Sequence, residues 1–600
     1  MNTRRRTRLR VAALAVGMIL VAAACNEGMT VNEQGVYTGS NTTTISGTLT
    51  PPENGHSHIV SVKVNDTDAT IDGNSYSAQV PLDGAAILNR VLVKSTWSDG
   101  TVLAGRRTVV YGDGTHGTVV PKATMLDDSS GLRINESALN ALSGVVKDGT
   151  TIDPATMAPV GTLIYQKGGW PDARAWINQA PTISDWNIAM DPQPGKVHAT
   201  VTLTNLNLRL WIETNALFGI WAECGYMKVH SDSITITADY GLQPAAGDPT
   251  HLDVNMLGAP QIGAVNLTTQ WDGGICDFFQ GIVGLFLPNM QDAISGGLQG
   301  MLGDPDGAGP ADSPIADSIE DALANINVSG PIGESLGVNL TSHIDSVVID
   351  DTGVNLRANS AFVADSVTPG APNLGGLLSY GDSLPPLPGT TPGGQPYGVA
   401  VGVSASGFNQ LLASQTEKGL LNSTITSFGG SPLTMRSLVE LAIPGGGGLV
   451  PDNANFPLKI ELAPEVAPLV TLDAGPNGRP ASLRIGGYRA KIKRSDNDGL
   501  LMDLTLDFKS PVSLQVIDGL MRFVVDQPAA SDLSVDVTAS FINLTPDAMQ
   551  AMIQSLAGPM FASVSESLQG FPLPQFAGMD LQPVEVARVG TGLVLFGNLG

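Results

Sequence analysis

Ser335 is the residue whose surroundings come nearest to a catalytic motif. It lies in Gly-Glu-Ser-Leu-Gly, residues 333–337, which spells the Gly-x-Ser-x-Gly of a nucleophile elbow. Such an elbow needs an apolar strand before the serine and a helix after it. Here a strand pattern follows the serine, and His343 lies too near in the chain for the usual order of triad partners. We therefore predict a loop at 333–337, with ester hydrolysis as the alternative to test.

Two acidic stretches contain the oxygen ligands that calcium prefers. They are RSDNDG, residues 494–499, and DDTG, residues 350–353. Neither has the full spacing of a calcium loop, so we predict hairpin turns at both. The seven histidines are scattered, and no Cys/His cluster has zinc spacing. The sequence predicts no metal site and no cofactor.

The three cysteines are the other reactive residues. Residues 1–24 have an arginine-rich start and an apolar stretch that ends in small residues, which predicts a secretory signal too short to span a membrane. The segment resembles a bacterial lipoprotein signal, which implies diacylation of Cys25 and anchoring in the cell envelope. Asn26 after it indicates the outer membrane where the cell has one. Ordinary cleavage that leaves an incidental cysteine is the alternative.

The other two cysteines predict a crosslink. In an exported chain, Cys224 and Cys276 predict one disulfide, with two buried thiols as the alternative.

Composition limits the class of partner. The chain has 600 residues, of which only 14% are charged, and a net charge of −25. Without the five arginines of the leader the net charge is about −30, which disfavours nucleic acid as a partner. The length is enough for about three or four domains.

The pattern along the chain predicts two similar units after a smaller one. Residues 25–41 are predicted to be a tether, and 42–120 alternate between short apolar runs and turns, which is typical of a small β-sandwich. They resemble the immunoglobulin-like modules of bacterial surface proteins. Residues 128–365 and 398–600 each combine strongly alternating strands with a long amphipathic helix, on either side of a Pro/Gly-rich linker at 366–397. The fold class is therefore α+β.

Two details of the first unit can be checked directly. GLRINESALNALSGVV, residues 131–146, predicts a helix with Asn135 as its N-cap. In residues 196–215, strict alternation predicts Val201 and Leu203 on one face of a strand and Leu206 and Leu208 on the other.

The ordered set of segments resembles the bactericidal/permeability-increasing protein family, which includes lipopolysaccharide-binding and lipid-transfer proteins. The likeness is carried by the opening helix, by the positions of Cys224 and Cys276, by YGVAVGVSASGFNQLLASQTEKGLLN, and by the C-terminal LQGFPLPQFAGMDLQPVEVARVGTGLVLFG. It implies two tandem barrels in a boomerang-like body, with one lipid pocket in each barrel and no covalent chemistry. It also implies that the last strands return to a sheet between the barrels, where the following side chains are buried: Phe571, Leu573, Leu593, Leu595 and Phe596.

The ligand implied by this resemblance is a phospholipid or another elongated apolar molecule, held by a membrane-anchored lipoprotein. The side chains expected to line the pockets are Leu139, Leu142, Phe279, Val283, Phe286, Met290, Phe408, Leu411, Leu412, Met549 and Met552. For each of them, ordinary core packing is the alternative. For the whole chain, the alternative is a structural or adhesive surface protein whose barrels are filled by their own side chains.

The family's basic, phosphate-binding tip has no clear counterpart in this chain. The best candidate is YRAKIKR, residues 488–494, as either a solvated strand face or a headgroup contact. Bacterial killing is therefore not expected.

Overall fold

The computed structural model describes residues 29–31, 36–50, 57–149, 155, 159–167, 172–217, 220–263, 266–271, 314–324, 337–428, 430–471, 473–517, 520–540, 548, 551–552, 555–556, 571–572, 575–576 and 578–600. Within these residues the chain is mostly β-sheet, in several half-barrel sheets with few helices. None of the described helices is long and apolar enough to cross a bilayer.

The first unit, here called the N-terminal module, is a sandwich of two sheets. One sheet has the strand order β1-β8-β7-β3-β4 and the other β2-β6-β5, and their buried side chains share one core around Trp97 and Tyr76. Strand β1 runs parallel to β8, and Met29 bridges to Leu49, so part of the segment predicted as a tether belongs to the sandwich. The strands are β1 (Val36–Thr38), β2 (Thr42–Thr48), β3 (Ile59–Val64), β4 (Thr67–Asp68), β5 (Thr70–Asp72), β6 (Ser75–Pro81), β7 (Leu88–Trp97) and β8 (Val102–Tyr111).

Three elements lead out of the module into the rest of the chain. Strand β9 (Thr118–Val120) is followed by β10 (Leu126–Asn135) and by helix α1 (Glu136–Gly149). The helix begins directly after Asn135, the predicted N-cap residue, whereas residues 131–135 end a strand and are not helical as predicted.

The first body is an eight-stranded sheet packed against two helices. Its order is β11-β12-β14-β15-β16, with β13 on β14 and with β17 and β18 on β15. Helix α1 packs on β13 and on helix α2, which packs on β16. The elements are β11 (Leu163–Lys167), β12 (Ala173–Thr182), β13 (Asp185–Gln193), β14 (Lys196–Leu217), β15 (Ile220–Ala245), β16 (Asp248–Met256), β17 (Gln261–Ile262), β18 (Thr268–Trp271) and α2 (Pro314–Ala324).

The chain then forms β19 (Val338–Ile349), β20 (Gly353–Ala364), β21 (Leu377–Ser379), β22 (Val399–Val403) and helix α3 (Ala405–Glu417). The segment 366–397 is packed rather than extended into solvent. Strand β21 pairs with β9, and Leu384 and Leu387 are buried under the chain's last strands.

The second body is another eight-stranded sheet, in the order β23-β26-β28-β29-β30-β32, with β27 on β28 and β31 on β29. Its elements are β23 (Ser423–Ile425), β24 (Ser427–Phe428), β25 (Ser431–Pro432), α4 (Met435–Ala442), β26 (Leu458–Pro464), β27 (Leu469–Val470), β28 (Ala481–Arg494), β29 (Leu500–Ile517), β30 (Leu520–Val525), β31 (Leu533–Ser540) and β32 (Phe571–Pro572). Short 3-10 turns lie at Gly447–Leu449, Asp452–Ala454, Pro476–Gly478 and Ala530–Asp532.

A central sheet joins the two bodies. Its strands are in the order β19-β20-β10-β22-β35-β34-β33, where the last three are β33 (Gln575–Phe576), β34 (Met579–Val589) and β35 (Gly592–Leu599). The return of the last strands to this sheet is confirmed, because β35 pairs with β22 and buries Leu593, Leu595 and Phe596. Leu573 and the side chain of Phe571 lie outside the described residues.

Candidate apolar interiors of the two bodies

The two longest strands of the first body present one continuous apolar face. In β14, Val201 and Leu203 are buried, and so are Leu206 and Leu208, which strict alternation placed on the opposite face. The prediction was wrong because Asn205 adopts a left-handed conformation, with φ of 53°, which shifts the alternation by one residue. Opposite it in β15, Asp232 is exposed and the alternation shifts as well, since both Ser231 and Ile234 are buried.

Helix α1 packs on β13, the strand paired with β14. The predicted lining residues Leu139 and Leu142 are buried and belong to the same apolar cluster as the inner side chains of β14 and β15. The opposite side of the helix is exposed at Glu136 and Asn140. The helix therefore has the one-sided burial that its periodicity predicts.

The interior of the second body is built around aromatic and aliphatic side chains of α3 and the sheet. Phe408 packs edge-to-face on Phe523 of β30, with ring centroids 5.5 Å apart. Leu411 and Leu412 are buried in the same cluster, as is Met552. These are four of the predicted lining residues, and their contact with a ligand stays a prediction.

Helix α3 differs from α1 in being buried on all sides. Its polar side chains are hydrogen-bonded to the surrounding backbone. Asn409 donates to the carbonyl of Leu378 at 3.2 Å and accepts from the amide of Val470 at 2.8 Å. Gln410 donates to the carbonyls of Lys122 and Thr124, both at 2.8 Å. The polar side chains of α3 thus hold the surrounding chain segments in place. Only the remaining, apolar side chains of the helix can face the interior of the second body.

Several predicted site residues lie outside the described residues: Cys25, Cys276, Phe279, Val283, Phe286, Met290, Ser335 and Met549. Cys224 is buried in β15, and its pairing with Cys276 stays a prediction. Within the described part of the chain, no cluster of three or more His, Cys, Asp or Glu side chains is arranged to hold a metal ion.

Both acidic stretches are hairpin turns, as predicted. RSDNDG connects β28 to β29, and DDTG connects β19 to β20. In the second turn, Asp350 accepts two hydrogen bonds of 2.7 Å from the buried guanidinium of Arg133 and one from the amide of Thr352. The hydrogen bonds from Arg133 hold the pKa of Asp350 well below its ordinary value, so its oxygens stabilise the central sheet.

The YRAKIKR segment is a strand face of paired charges. Arg489 forms an ion pair with Asp503, Lys493 with Glu461 at 2.7 Å, and Arg494 with Asp496 at 2.5 Å. Burial raises the pKa of Glu461, but hydrogen bonds from Lys459 and Lys493 outweigh it and hold that pKa below its ordinary value. The described contacts favour the strand-face interpretation over a headgroup contact.

A set of aromatic and cationic side chains that was not predicted lies near the Leu217–Ile220 end of the β14–β15 pair. The guanidinium of Arg174 lies 3.9 Å from the ring centroid of Trp221, and that of Arg209 lies 3.9 Å from the ring of Tyr226. Trp211 packs edge-on against Tyr226, and Ile220 is 70% exposed. Such cation–π pairs are worth about 0.5–1 kcal/mol at exposed sites. Arg209 and Trp211 near the end of β14, and Trp221 and Tyr226 near the start of β15, were a visible signal, whereas Arg174 comes from β12.

No family model and no curated protein matches the sequence. Among solved structures, the chain is similar to a lipopolysaccharide binding protein, with 14% identity and a TM-score of 0.40 over 79% of this chain and 99% of that one. It is also similar to P47 of Clostridium botulinum E1, with 8% identity and a TM-score of 0.28 over 80% of this chain and 100% of that one. P47 from Clostridium botulinum A2 gives 9% identity and a TM-score of 0.28 over 80% and 98% of the two chains.

Proposed function

We propose that the protein binds a phospholipid or another elongated apolar ligand in the interiors of its two bodies, without covalent chemistry. The observation that carries this proposal is the continuous apolar inner face of β14 and β15, which extends from Val197 to Ile212 because the alternation shifts at Asn205. An acyl chain needs dispersion contacts along its length and no hydrogen bonds, which such a face supplies.

The resemblance of the sequence to the bactericidal/permeability-increasing family supports the same function, since that family holds acyl chains inside two tandem barrels. We further propose that Cys25 carries the lipid anchor and that the protein lies in the cell envelope. Two or more acyl chains suffice for stable anchoring. Pairing of Cys224 with Cys276 would close a long loop and stabilise the first body by about 3–4 kcal/mol.

A structural or adhesive protein with filled barrels is the second candidate. The all-round burial of α3 favours it, because the polar side chains of that helix serve the packing of its neighbours. The two functions differ in whether the interiors hold a ligand. Native mass spectrometry of protein purified without detergent distinguishes them: adducts with the mass of a lipid support the first function, and clean apoprotein supports the second.

A pair of variants sharpens this experiment. Ala199 is buried on the inner face of β14, and the neighbouring Thr200 lies on the other face. In a hollow interior, Ala199→Trp fills the space of the ligand and removes the adduct while stability is kept. In a filled interior it overpacks the core and costs about 1–3 kcal/mol. Thr200→Trp is the matched control, which should keep both the adduct and the free energy of unfolding.

A further inference from the structure

The N-terminal module is docked on the outer face of the second body by buried charges. The side chain of Arg106 in β8 is only 1% exposed and forms ion pairs with Asp507 of β29 and, at 2.8 Å, with Asp536 of β31. Arg90 of β7 reaches the same Asp536 at 3.2 Å. Because a buried guanidinium without partners is strongly destabilising, this contact fixes the module to the sheet.

A second group of contacts lies beside the first. Glu465 is buried, accepts a hydrogen bond of 2.9 Å from the amide of Thr108, and lies 4.0 Å from Arg107. Burial raises the pKa of Glu465. The half-buried Tyr37 also accepts, at its hydroxyl, a hydrogen bond of 3.0 Å from the amide of Ala467. The first group comes from the module's strands β7 and β8, and the second comes from β8 and β1.

The sheet of the second body is shaped to receive β8. Its register shifts between Ile485 and Tyr488, at the glycine pair Gly486 and Gly487. A Cβ on Gly487, whose φ is +65°, would lie 2.5 Å from the hydroxyl oxygen of Thr108, and one on Gly486 would lie 2.8 Å from a methyl of Leu88. Because only glycine leaves room for this approach, the sheet of the second body is adapted to the contact with the module.

The first residues that the structure describes, Met29–Val31, lie against strand β8 of the module. A Cβ on Gly105 would come within 2.9 Å of the terminal methyl of Met29, and Arg107 donates to the carbonyl of Val31 at 3.3 Å. Met29 follows Cys25 by only four residues. Whatever their conformation, four residues reach at most about 14 Å.

We propose that the second body is the membrane-proximal body, held against the anchoring membrane by the docked module. The inference rests on the lipid anchor at Cys25 that is part of the proposed function. The short reach from Cys25 keeps the module at the bilayer surface. The Arg106 and Glu465 contacts then keep the second body next to the module.

Resonance energy transfer from a donor on the protein to an acceptor in the membrane tests which body lies closer to the bilayer. The full-length lipoprotein is placed in phosphatidylcholine vesicles that contain an acceptor-labelled lipid, with a donor on a genetically encoded residue at one of two exposed positions. These are Val537 in the second body, 39% exposed, and Leu257 in the first body, 52% exposed. We expect higher transfer efficiency from position 537. Equal or higher efficiency from position 257 overturns the inference.

A lengthened tether is the matched control. A Gly/Ser segment of about 20 residues between Asn26 and Glu27, which adds about 25 Å on average, should abolish the advantage of position 537. An unchanged advantage shows that something other than the anchor holds the second body there, and overturns the inference. Cys25→Ala should abolish vesicle association. If the unaltered protein associates no better than Cys25→Ala, the anchor and this inference fall together, while lipid adducts in the mass spectrum would leave lipid binding standing.

Discussion

The chain builds the same strand–helix unit twice, and the two copies end in opposite surroundings. Strand β10 leads into α1 and strand β22 leads into α3, and the two strands pair side by side in the central sheet. Helix α1 is buried along one face and exposed along the other, whereas α3 is buried all round. The difference arises from what covers α3: it packs against β20, β21 and β27, and its Gln410 bonds to the chain that leaves the N-terminal module. A duplicated unit has thus become a surface helix in one body and a central support in the other.

We expect the largest loss of stability when the contact between the N-terminal module and the second body is removed. Arg106→Ala leaves Asp507 and Asp536 without their buried cation, and we expect the free energy of opening this interface to fall by about 3–5 kcal/mol. Native-state hydrogen exchange of the β8 and β31 amides measures this free energy of opening. The control is Lys63→Ala in the exposed pair Lys63–Asp68, for which the expected cost is about 0–1 kcal/mol. Equal protection in the two variants would show that the buried charges do not hold the module.

The two helices show where prediction from the sequence succeeds and where it cannot. Leu139, Leu142 and Val146 recur at helical spacing, and all three are buried, so the periodicity of α1 carried the information. In α3, Asn409 and Gln410 have side chains that usually face water, and their burial depends on partners far away in the chain. Nothing local in the sequence names those partners.

The same limit applies to the candidate site and to the docking of the module. The hairpin turns and the long strands follow from local patterns, whereas the return of the last strands was predicted only through the resemblance to a known family. The shift of alternation at Asn205 does not, because many asparagines occur in strands without a left-handed φ. The glycine pair Gly486–Gly487 in the middle of a strand was a visible signal, since glycine in a strand often marks a close approach of another chain segment. Which segment approaches could be learned only from the fold.

A matched pair of substitutions tests the difference between the helices directly. Gln410→Ala removes two hydrogen bonds of 2.8 Å to the carbonyls of Lys122 and Thr124 and leaves the buried amide of Phe362 without its acceptor. We expect a cost of about 1–3 kcal/mol in the free energy of unfolding. Asn140→Ala removes an exposed side chain at the corresponding turn of α1 and should change it by less than about 0.5 kcal/mol. Urea denaturation of both variants checks the prediction, and equal costs would mean that the burial of α3 carries no energetic consequence.

The smallest expected effect concerns the outer faces of the two bodies. In the first body, Arg174 and Arg209 stack on aromatic rings, whereas in the second body Lys459 and Lys493 both pair with Glu461 at the surface. Glu461→Gln should cost about 0–1 kcal/mol near neutral pH, and the cost should shrink as salt is added.

The pH dependence of that cost has a definite sign. Because the folded-state pKa of Glu461 lies below its unfolded value of about 4.3, its contribution is present above that pH and is lost as the pH falls through the folded pKa. The difference between Glu461→Gln and the unaltered protein should therefore vanish in acid, as measured by urea denaturation across that range. A second variant, Trp221→Ala, removes the uncharged ring that Arg174 stacks on, and its cost in the free energy of unfolding should not depend on pH in this range. If Glu461→Gln keeps a constant cost down to about pH 2, packing rather than charge pairing holds this face of the second body.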